Sequence, residues 1–275
     1  MSQDLGFFGP SSTTWMINKE LTVLFGGVRA LLLHAAHPLV AAGARQTHTY
    51  RRDPWARLLR TLSLQLLLPF GTKEEAQQAA DRINRLHTVV NGIDPVTGEH
   101  YDALDHDLLL WVHAALEVST VLFYELTVRP LTDWQKERFH EENLKAAELV
   151  LLPAGAVPPT YADMEAYVDE MIDSDRLFVT DVAREVADLI RGGPVPWHLK
   201  PVWAFIAFAA VGTLPERVRS LYGFRFGPVR RALLRVNFWM LKRARPFLPK
   251  RFRWILPAQV AERRAAGEDV PMPRP

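Results

Sequence analysis

The sequence of 275 residues contains no cysteine. Without cysteine, the chain cannot form disulfides, thiolate zinc sites, cysteine nucleophiles or cysteine-ligated iron centres. Any transition metal bound by this chain must therefore be held through nitrogen or oxygen atoms. The absence is compatible with a cytosolic protein, although many exported proteins also lack cysteine.

Several motifs of common enzyme classes are also missing. The sequence has no Gly-x-Gly-x-x-Gly, no Gly-x-x-x-x-Gly-Lys-Ser/Thr, no His-Glu-x-x-His and no Gly-x-Ser-x-Gly. Nucleotide cofactors, zinc proteolysis and serine hydrolysis therefore have little support. A di-iron site needs Glu-x-x-His on facing helices, and only Glu137-Arg138-Phe139-His140 matches this pattern. The adjacent Glu141 and Glu142 predict that this segment is a solvated helix face.

Long apolar runs are absent as well. The longest, residues 62–68 and 202–214, fall short of the roughly 20 residues that a membrane-spanning helix needs. Residues 1–6 show no basic stretch followed by an apolar one, so no secretion signal is expected. Apolar residues make up 48% and charged residues 23%, which is typical of globular proteins. We expect a cytoplasmic protein, attached at most to a membrane surface.

Helix signals recur along the chain, and alternating segments bounded by hairpin turns are not found. Asp53 precedes a proline at a first helical position, Thr72 and Thr132 begin capping boxes, and Thr160 begins a similar pattern. The predicted helices cover 18–34, 73–91, 105–128, 133–150, 161–173, 177–191, 200–212 and 228–246. The sequence therefore predicts an all-α fold with one globular domain over residues 1–270.

Basic residues are concentrated near the C-terminus. Residues 225–264 hold twelve lysines and arginines and one glutamate, so the rest of the chain carries about nine net negative charges, given a total of +2. Between 228 and 253, apolar residues interleave with the basic ones, as in helices that lie on anionic lipid. An equally open interpretation is a solvated face that covers the acidic remainder. No nucleic-acid-binding pattern is present, so no nucleic-acid partner is expected.

His113 lies in the apolar run 108–116, where a buried imidazole costs free energy unless its nitrogens are satisfied or bind a metal. Asp105 is positioned to cap this helix, and one face, expected to be buried, carries His106, Leu109, Leu110, His113, Leu116, Glu117, Thr120 and Tyr124. Composition and spacing alone favour a core histidine bonded to a backbone carbonyl. The alternative is an axial ligand of a haem iron.

Two further clusters are candidates for chemistry. His37 precedes a proline, which predicts a helix boundary, and the small residues around it allow close approach of another helix or of a flat ligand. Arg57 and Thr61 are four residues apart and share one side of a helix. Such donors could stabilise charge that develops on bound dioxygen or peroxide. Alternatively, Arg57 is a surface ion-pair residue and Thr61 only packs.

These residues belong to a pattern that resembles the MpaB-type oxygenases, which share their catalytic domain with bacterial latex-clearing protein. The resemblance covers about residues 9–225. It rests on Gly9-Pro10, Trp15, Asn18, Glu20, Gly26-Gly27-x-Arg29-Ala30-Leu31-Leu32, Ala36-His37-Pro38, Ala41-Ala42-Gly43, His48, Asp53-Pro54-x-x-Arg57-Leu58-x-Arg60-Thr61, Phe70-Gly71, His87, Gly92, Gly98, Tyr101 and Leu108-Leu109-x-Trp111-Val112-His113-Ala114.

The resemblance implies an all-helical fold around one b-type haem, with His113 as the iron ligand. Arg57 and Thr61 match a distal pair with a catalytic role, and Arg57 also counts as a cofactor-binding residue. His37 and His48 match family positions that line the cofactor pocket or contact the propionates.

The chain departs from latex-clearing proteins beside His113. Those proteins carry arginines around the proximal histidine, whereas Leu110 and Glu117 stand here. Cleavage of polyisoprene is therefore not inherited from the resemblance. The sequence predicts a haem b-dependent oxygenase or peroxygenase that acts on an apolar, isoprenoid or lipid-like substrate. The alternative is a haem-binding or sensing protein at a membrane surface, without oxygenase activity.

Overall fold

The computed structural model describes residues 4–47, 53–193 and 195–273. These residues form fourteen α-helices and one small sheet, which confirms the predicted all-α fold. The helices are α1 (Thr13–Asn18), α2 (Leu24–Ala36), α3 (Pro38–Thr47), α4 (Pro54–Phe70), α5 (Lys73–His87), α6 (His106–Thr127), α7 (Asp133–Leu149), α8 (Tyr161–Asp173), α9 (Asp181–Gly192), α10 (Lys200–Thr213), α11 (Glu216–Leu221), α12 (Pro228–Ala244), α13 (Lys250–Arg253) and α14 (Leu256–Ala265).

The predicted helix starts are confirmed by their side-chain caps. Asp53 accepts a hydrogen bond from the backbone N–H of Ala56, and the capping boxes at Thr72 and Thr132 are both complete. Asp105 accepts from two backbone N–H groups of the first turn of α6. Each cap satisfies N–H groups that an isolated helix end leaves without partners, which explains why the chain turns into a helix at these residues.

The structure adds a β-hairpin that the sequence pattern did not predict. Strands β1 (Asn91–Ile93) and β2 (His100–Asp102) pair antiparallel, with Gly92 opposite Tyr101. A Cβ on Gly92 would lie 3.0 Å from the Tyr101 hydroxyl, so any other residue there would require the Tyr101 side chain to shift. Three residues per strand are too few to show an alternating pattern.

The helices α2 and α6 cross at the centre of the fold and run antiparallel. Arg29 donates to the Ser119 hydroxyl at 2.6 Å, and further along, His34 bonds to the carbonyl of Val112 at 3.0 Å. At Gly26, an added Cβ would lie only 2.6 Å from the carbonyl oxygen of Ser119. The close crossing therefore requires glycine at this position.

Helix α6 meets the length and composition of a membrane span, which the search for apolar runs did not predict. The helix is 22 residues long and contains an 18-residue window with a mean hydropathy of 1.3, although His113 and Glu117 interrupt its apolar character. Residues 21–36 reach the length and composition of a membrane span only when they are taken together with α3, and the two segments meet at a bend of 104°. Of the α6 span, 56% is buried inside the domain, as in the core helix of a globular protein.

The C-terminal helices pack back onto the N-terminal part of the chain. Arg245, just after α12, forms an ion pair with the buried Glu20, and Arg264 of α14 forms one with Glu75 of α5. Trp15 of α1 packs in one apolar cluster with α14. The basic segment 226–265 is therefore attached to the body that holds α2 and α6.

Candidate active site

His113 lies near the middle of α6, and its side chain is 13% exposed. The predicted face is only partly buried, because Leu110, Leu116 and Thr120 are half-buried and His106 is exposed. The deepest residues of this stretch lie on another side of the helix and include Trp111, Ala114 and Ala115. The expectation of a fully buried histidine face was wrong. The reason is that α6 packs mainly through the side that meets α2.

A buried carboxylate, Glu117, lies between two histidines. Its Oε1 accepts a hydrogen bond of 2.8 Å from Nδ1 of His140, which comes from α7. Its Oε2 lies 3.3 Å from Nε2 of His113, at ion-pair distance but outside hydrogen-bond geometry. His140 also donates through Nε2 to the carbonyl of Pro158 at 2.9 Å. The three side chains form one polar cluster inside the apolar core.

The burial of His140 corrects the prediction that residues 137–142 form a solvated face. Its side chain is 1% exposed, whereas Glu141, one residue later, is exposed. Helix α7 is amphipathic, and Phe139, His140 and Ala147 face the core. The residues around His140 are mostly charged, so the local composition indicated a solvent-exposed segment. One signal of the buried face was missed. His140 and Ala147 are seven residues apart, which is two helical turns, so they lie on the same side of the helix.

Glu117 and His140 form a charged pair in the interior. Burial raises the pKa of Glu117, but the contacts with His113 and His140 outweigh it and lower that pKa overall. Burial lowers the pKa of His140, but the hydrogen bond to Glu117 outweighs it, so this pKa is raised. Because both nitrogens of His140 face acceptors, the ring is an imidazolium that donates twice. One oxygen of Glu117 remains directed at His113.

His34 is also a core histidine that bonds to a backbone carbonyl. Burial lowers the pKa of His34 to about 4, so the ring is neutral and donates its Nε2–H to Val112. His113 differs from His34, because its buried Nε2 faces the carboxylate of Glu117 and bonds to no backbone carbonyl among the described residues. Its Nδ1 makes no hydrogen bond with the described residues, so this nitrogen is the one available to a ligand.

His37 ends α2 at the predicted boundary and is 3% exposed. Neither of its ring nitrogens has a hydrogen-bond partner in the described part of the chain. Burial and the nearby charge of Arg176 lower the pKa of His37 to about 4, so the ring is neutral. His48, the other predicted cofactor contact, lies outside the described residues.

Arg57 and Thr61 lie one turn apart on α4, as predicted. Arg57 is half-buried and Thr61 is exposed. Leu58, next to Arg57, packs against the same apolar cluster as Leu110, which lies one turn before His113. Both leucines therefore border one large apolar cluster, although α4 and α6 do not form one of the extensive helix–helix contacts of the fold.

Helix α4 is apolar but poorly covered. Only its last three residues, Leu68, Pro69 and Phe70, are buried. The apolar side chains that stay half-buried are Trp55, Ala56, Leu58, Leu62, Leu64, Leu66 and Leu67. A helix of this composition normally buries a continuous face, so the N-terminal part of α4 has apolar surface available for a ligand.

The donor set fits a haem better than a metal held by protein ligands alone. The described residues hold no group of three or more histidine and carboxylate side chains placed to bind a metal ion. A single imidazole suffices when a macrocycle supplies the other ligands, and His113 offers one, with Nε2 toward Glu117 and Nδ1 without a hydrogen bond to the described residues. Half-buried apolar surface on α4 and α6 suits a flat, hydrophobic cofactor.

Comparison with models of known protein families matches residues 14–258. The matched family is described as the catalytic domain of ER-bound oxygenase mpaB/B' and rubber oxygenase. The match contains His37, Arg57, Thr61 and His113. No curated protein and no solved structure matches the chain.

Proposed function

Because the chain belongs to the family of mpaB/B' and rubber oxygenase catalytic domains, an oxygenase family, we propose that it binds one b-type haem through His113. We propose further that it uses dioxygen or peroxide on an apolar, isoprenoid or lipid-like substrate. The single observation that carries the haem proposal is His113, a mostly buried imidazole whose Nε2 faces Glu117 and whose Nδ1 makes no hydrogen bond with the described residues.

When bound, the haem would supply an iron centre able to activate an oxygen species. His113 would hold it through Nδ1, because Nε2 of the same ring faces the carboxylate of Glu117. Histidines that bind metals usually give their other N–H to a carboxylate or carbonyl, which fixes the ring and raises its basicity. The imidazolium of His140 keeps Glu117 charged and in place.

Arg57 and Thr61 are the proposed donors for the oxygen ligand. Fixed donors stabilise negative charge that develops on oxygen, and their loss typically costs about 100- to 1000-fold in rate. The half-buried leucines of α4 would exclude water and hold an apolar substrate beside these donors.

An absorption spectrum tests the cofactor. The purified, haem-reconstituted protein should show a Soret band, and His113→Ala should lose it. His106→Ala is the matched control, because His106 is exposed on the same helix and should keep the band. A wild-type protein without a Soret band after reconstitution would rule out the proposal, and full retention of the band in His113→Ala would reassign the ligand.

Turnover separates an oxygenase from a haem-binding or sensing protein. Arg57→Leu and Thr61→Val should each keep the Soret band but slow consumption of dioxygen or peroxide with an isoprenoid substrate by about 100-fold or more. Ser63→Ala is the control, because the Ser63 hydroxyl bonds only to carbonyls of its own helix. Haem binding without any consumption of oxidant would favour the sensing alternative.

A further inference from the structure

Helix α12 has apolar residues on two opposite sides. Leu234 and Phe238 face the core and are buried. Val229, Leu233, Val236 and Met240 are exposed, with 47–80% of each side chain accessible. Their intervals of four, three and four residues place them in one line along the helix. We call these four residues the outer stripe. A helix packed on one side normally presents polar residues on the other.

The segment around the outer stripe adds large exposed side chains. Trp239 is 60% exposed, and after the helix Phe247 is 87% and Phe252 57% exposed. Met240 also lines a cavity of about 280 Å³ together with Phe205 and Leu241. Large exposed apolar patches on a folded protein usually mark an interaction surface.

Cations accompany the outer stripe along the helix. Arg243 and Arg230 lie on either side of it, about 50° and about 90° from its centre line, and together form its basic edge. Both are exposed, and among the described residues no carboxylate lies within 4 Å of either guanidinium group, whereas Arg245 and Arg264 form ion pairs within the fold. Some basic residues of the segment therefore attach it to the rest of the fold through ion pairs. Others carry a charge that can interact with a partner.

We propose that α12 docks this protein on an anionic lipid bilayer, with the outer stripe in the interface and the basic edge on the headgroups. Apolar side chains flanked by arginine and lysine are the arrangement by which amphipathic helices lie in membrane interfaces. A second copy would place two positive edges against each other. A nucleic acid would contact the cations, but its polar surface would gain nothing from the apolar side chains of the outer stripe.

Sedimentation with vesicles tests the proposal on the full chain. Vesicles of phosphatidylcholine mixed with phosphatidylglycerol should bind the protein, and vesicles of phosphatidylcholine alone should bind it far less. Raising the salt concentration should weaken binding, because salt screens exposed charges. Equal binding to both vesicle types, or no binding to either, would overturn the proposal.

Two variants separate the apolar and ionic contributions. Leu233→Glu with Val236→Glu should abolish vesicle binding, because each carboxylate would enter the interface. Arg230→Gln and Arg243→Gln together should weaken binding by about fivefold for each charge removed. Trp134→Glu is the matched control, because Trp134 is 70% exposed on α7, and it should bind as the wild type does. Circular dichroism checks that every variant keeps its helix content.

Competing occupants give different outcomes. Light scattering that shows a dimer, dispersed by the Leu233→Glu and Val236→Glu variant, would assign the surface to a second copy and overturn the proposal. Binding of a short DNA or RNA duplex without vesicle binding would overturn it in favour of nucleic acid. His113→Ala should bind vesicles as the wild type does, so the proposal stands or fails independently of the haem.

Discussion

At the scale of single residues, the chemistry of the candidate site converges on Glu117. This carboxylate is 1% exposed, yet it stays ionised because His140 donates to one of its oxygens. The second oxygen faces Nε2 of His113. A charge is stable in the interior only when it is paired and hydrogen-bonded, so the His140 contact is what permits Glu117 at this position.

Glu117→Gln tests this role. The substitution keeps the size of the side chain but removes the charge, and we expect haem affinity to fall by about 10- to 100-fold because the proposed ligand loses its orienting carboxylate. The free energy of unfolding should fall by about 1–3 kcal/mol through the weakened bond to His140. Haem titration and urea unfolding measure the two effects.

Asp107→Asn is the control for Glu117→Gln, because Asp107 is exposed in the first turn of α6. It should leave haem affinity unchanged. If Glu117→Gln bound haem as tightly as the wild type, Glu117 would be a structural partner of His140 alone.

At the scale of elements, the crossing of α2 and α6 determines where the site is built. His34 ties α2 to the carbonyl of Val112, one residue before His113. Arg29, with its pKa lowered by burial to about 10, bonds to Ser119 and to the carbonyl of Thr213 at the end of α10. These contacts fix the positions of α2, α6 and α10 relative to one another around the histidine segment.

Gly26→Ala should destabilise this crossing. The new Cβ would meet the carbonyl oxygen of Ser119 at 2.6 Å, so the helices would have to separate, at a cost of about 1–3 kcal/mol in unfolding free energy. Gly27→Ala is the matched control, since nothing lies within 4 Å of its added Cβ, and it should stabilise the helix by up to about 1 kcal/mol. Thermal or urea unfolding compares them, and equal effects would contradict the packing argument.

At the scale of the whole molecule, the basic residues of the C-terminal segment fall into two groups. One group neutralises acidic residues of the body, as in the pairs of Arg245 with Glu20 and Arg264 with Glu75. The other group, which includes Arg230 and Arg243, is exposed on α12. The lipid-docking proposal concerns only this second group.

The pair of Glu75 and Arg264 makes stability depend on pH. The hydrogen bond from Arg264 lowers the pKa of Glu75 below its ordinary 4.5. The folded state therefore holds this proton less tightly than the unfolded chain does. The contribution of the pair is fully present above about pH 4.5 and is lost as the pH falls through the folded pKa.

Glu75→Gln should remove this contribution. The amide can still accept the capping-box hydrogen bond from Thr72, so the main loss is the charge, worth about 1 kcal/mol for a partly exposed pair. Urea unfolding should show the difference from the wild type at pH 7 and a smaller one near pH 3. Glu74→Gln is the exposed control on the same turn, and a pH-independent difference for Glu75→Gln would refute the assignment.

Of the helices that the described residues form, local signals in the sequence predicted the nine with twelve or more residues and most of their starts, but not the shorter α1, α3, α11, α13 and α14. Asp53, Thr72, Asp105 and Thr132 cap their helices as expected, because a capping hydrogen bond spans only two or three residues. The helix predicted over 18–34 is interrupted, since α1 ends at Asn18 and α2 begins at Leu24. No single residue in that stretch signals the break.

The sequence by itself determined the all-α class, the positions of His37, Arg57, Thr61 and His113 on or beside helices, and the basic character of the C-terminal segment. These properties depend on residue types and on contacts within one or two helical turns. Only the tertiary structure decided that His140 is buried against Glu117, that Nε2 of His113 faces the same carboxylate, and which cations have no carboxylate nearby in the described part of the chain. Such facts depend on which distant helices meet, and the spacing of residues along one helix carries no information about its neighbours.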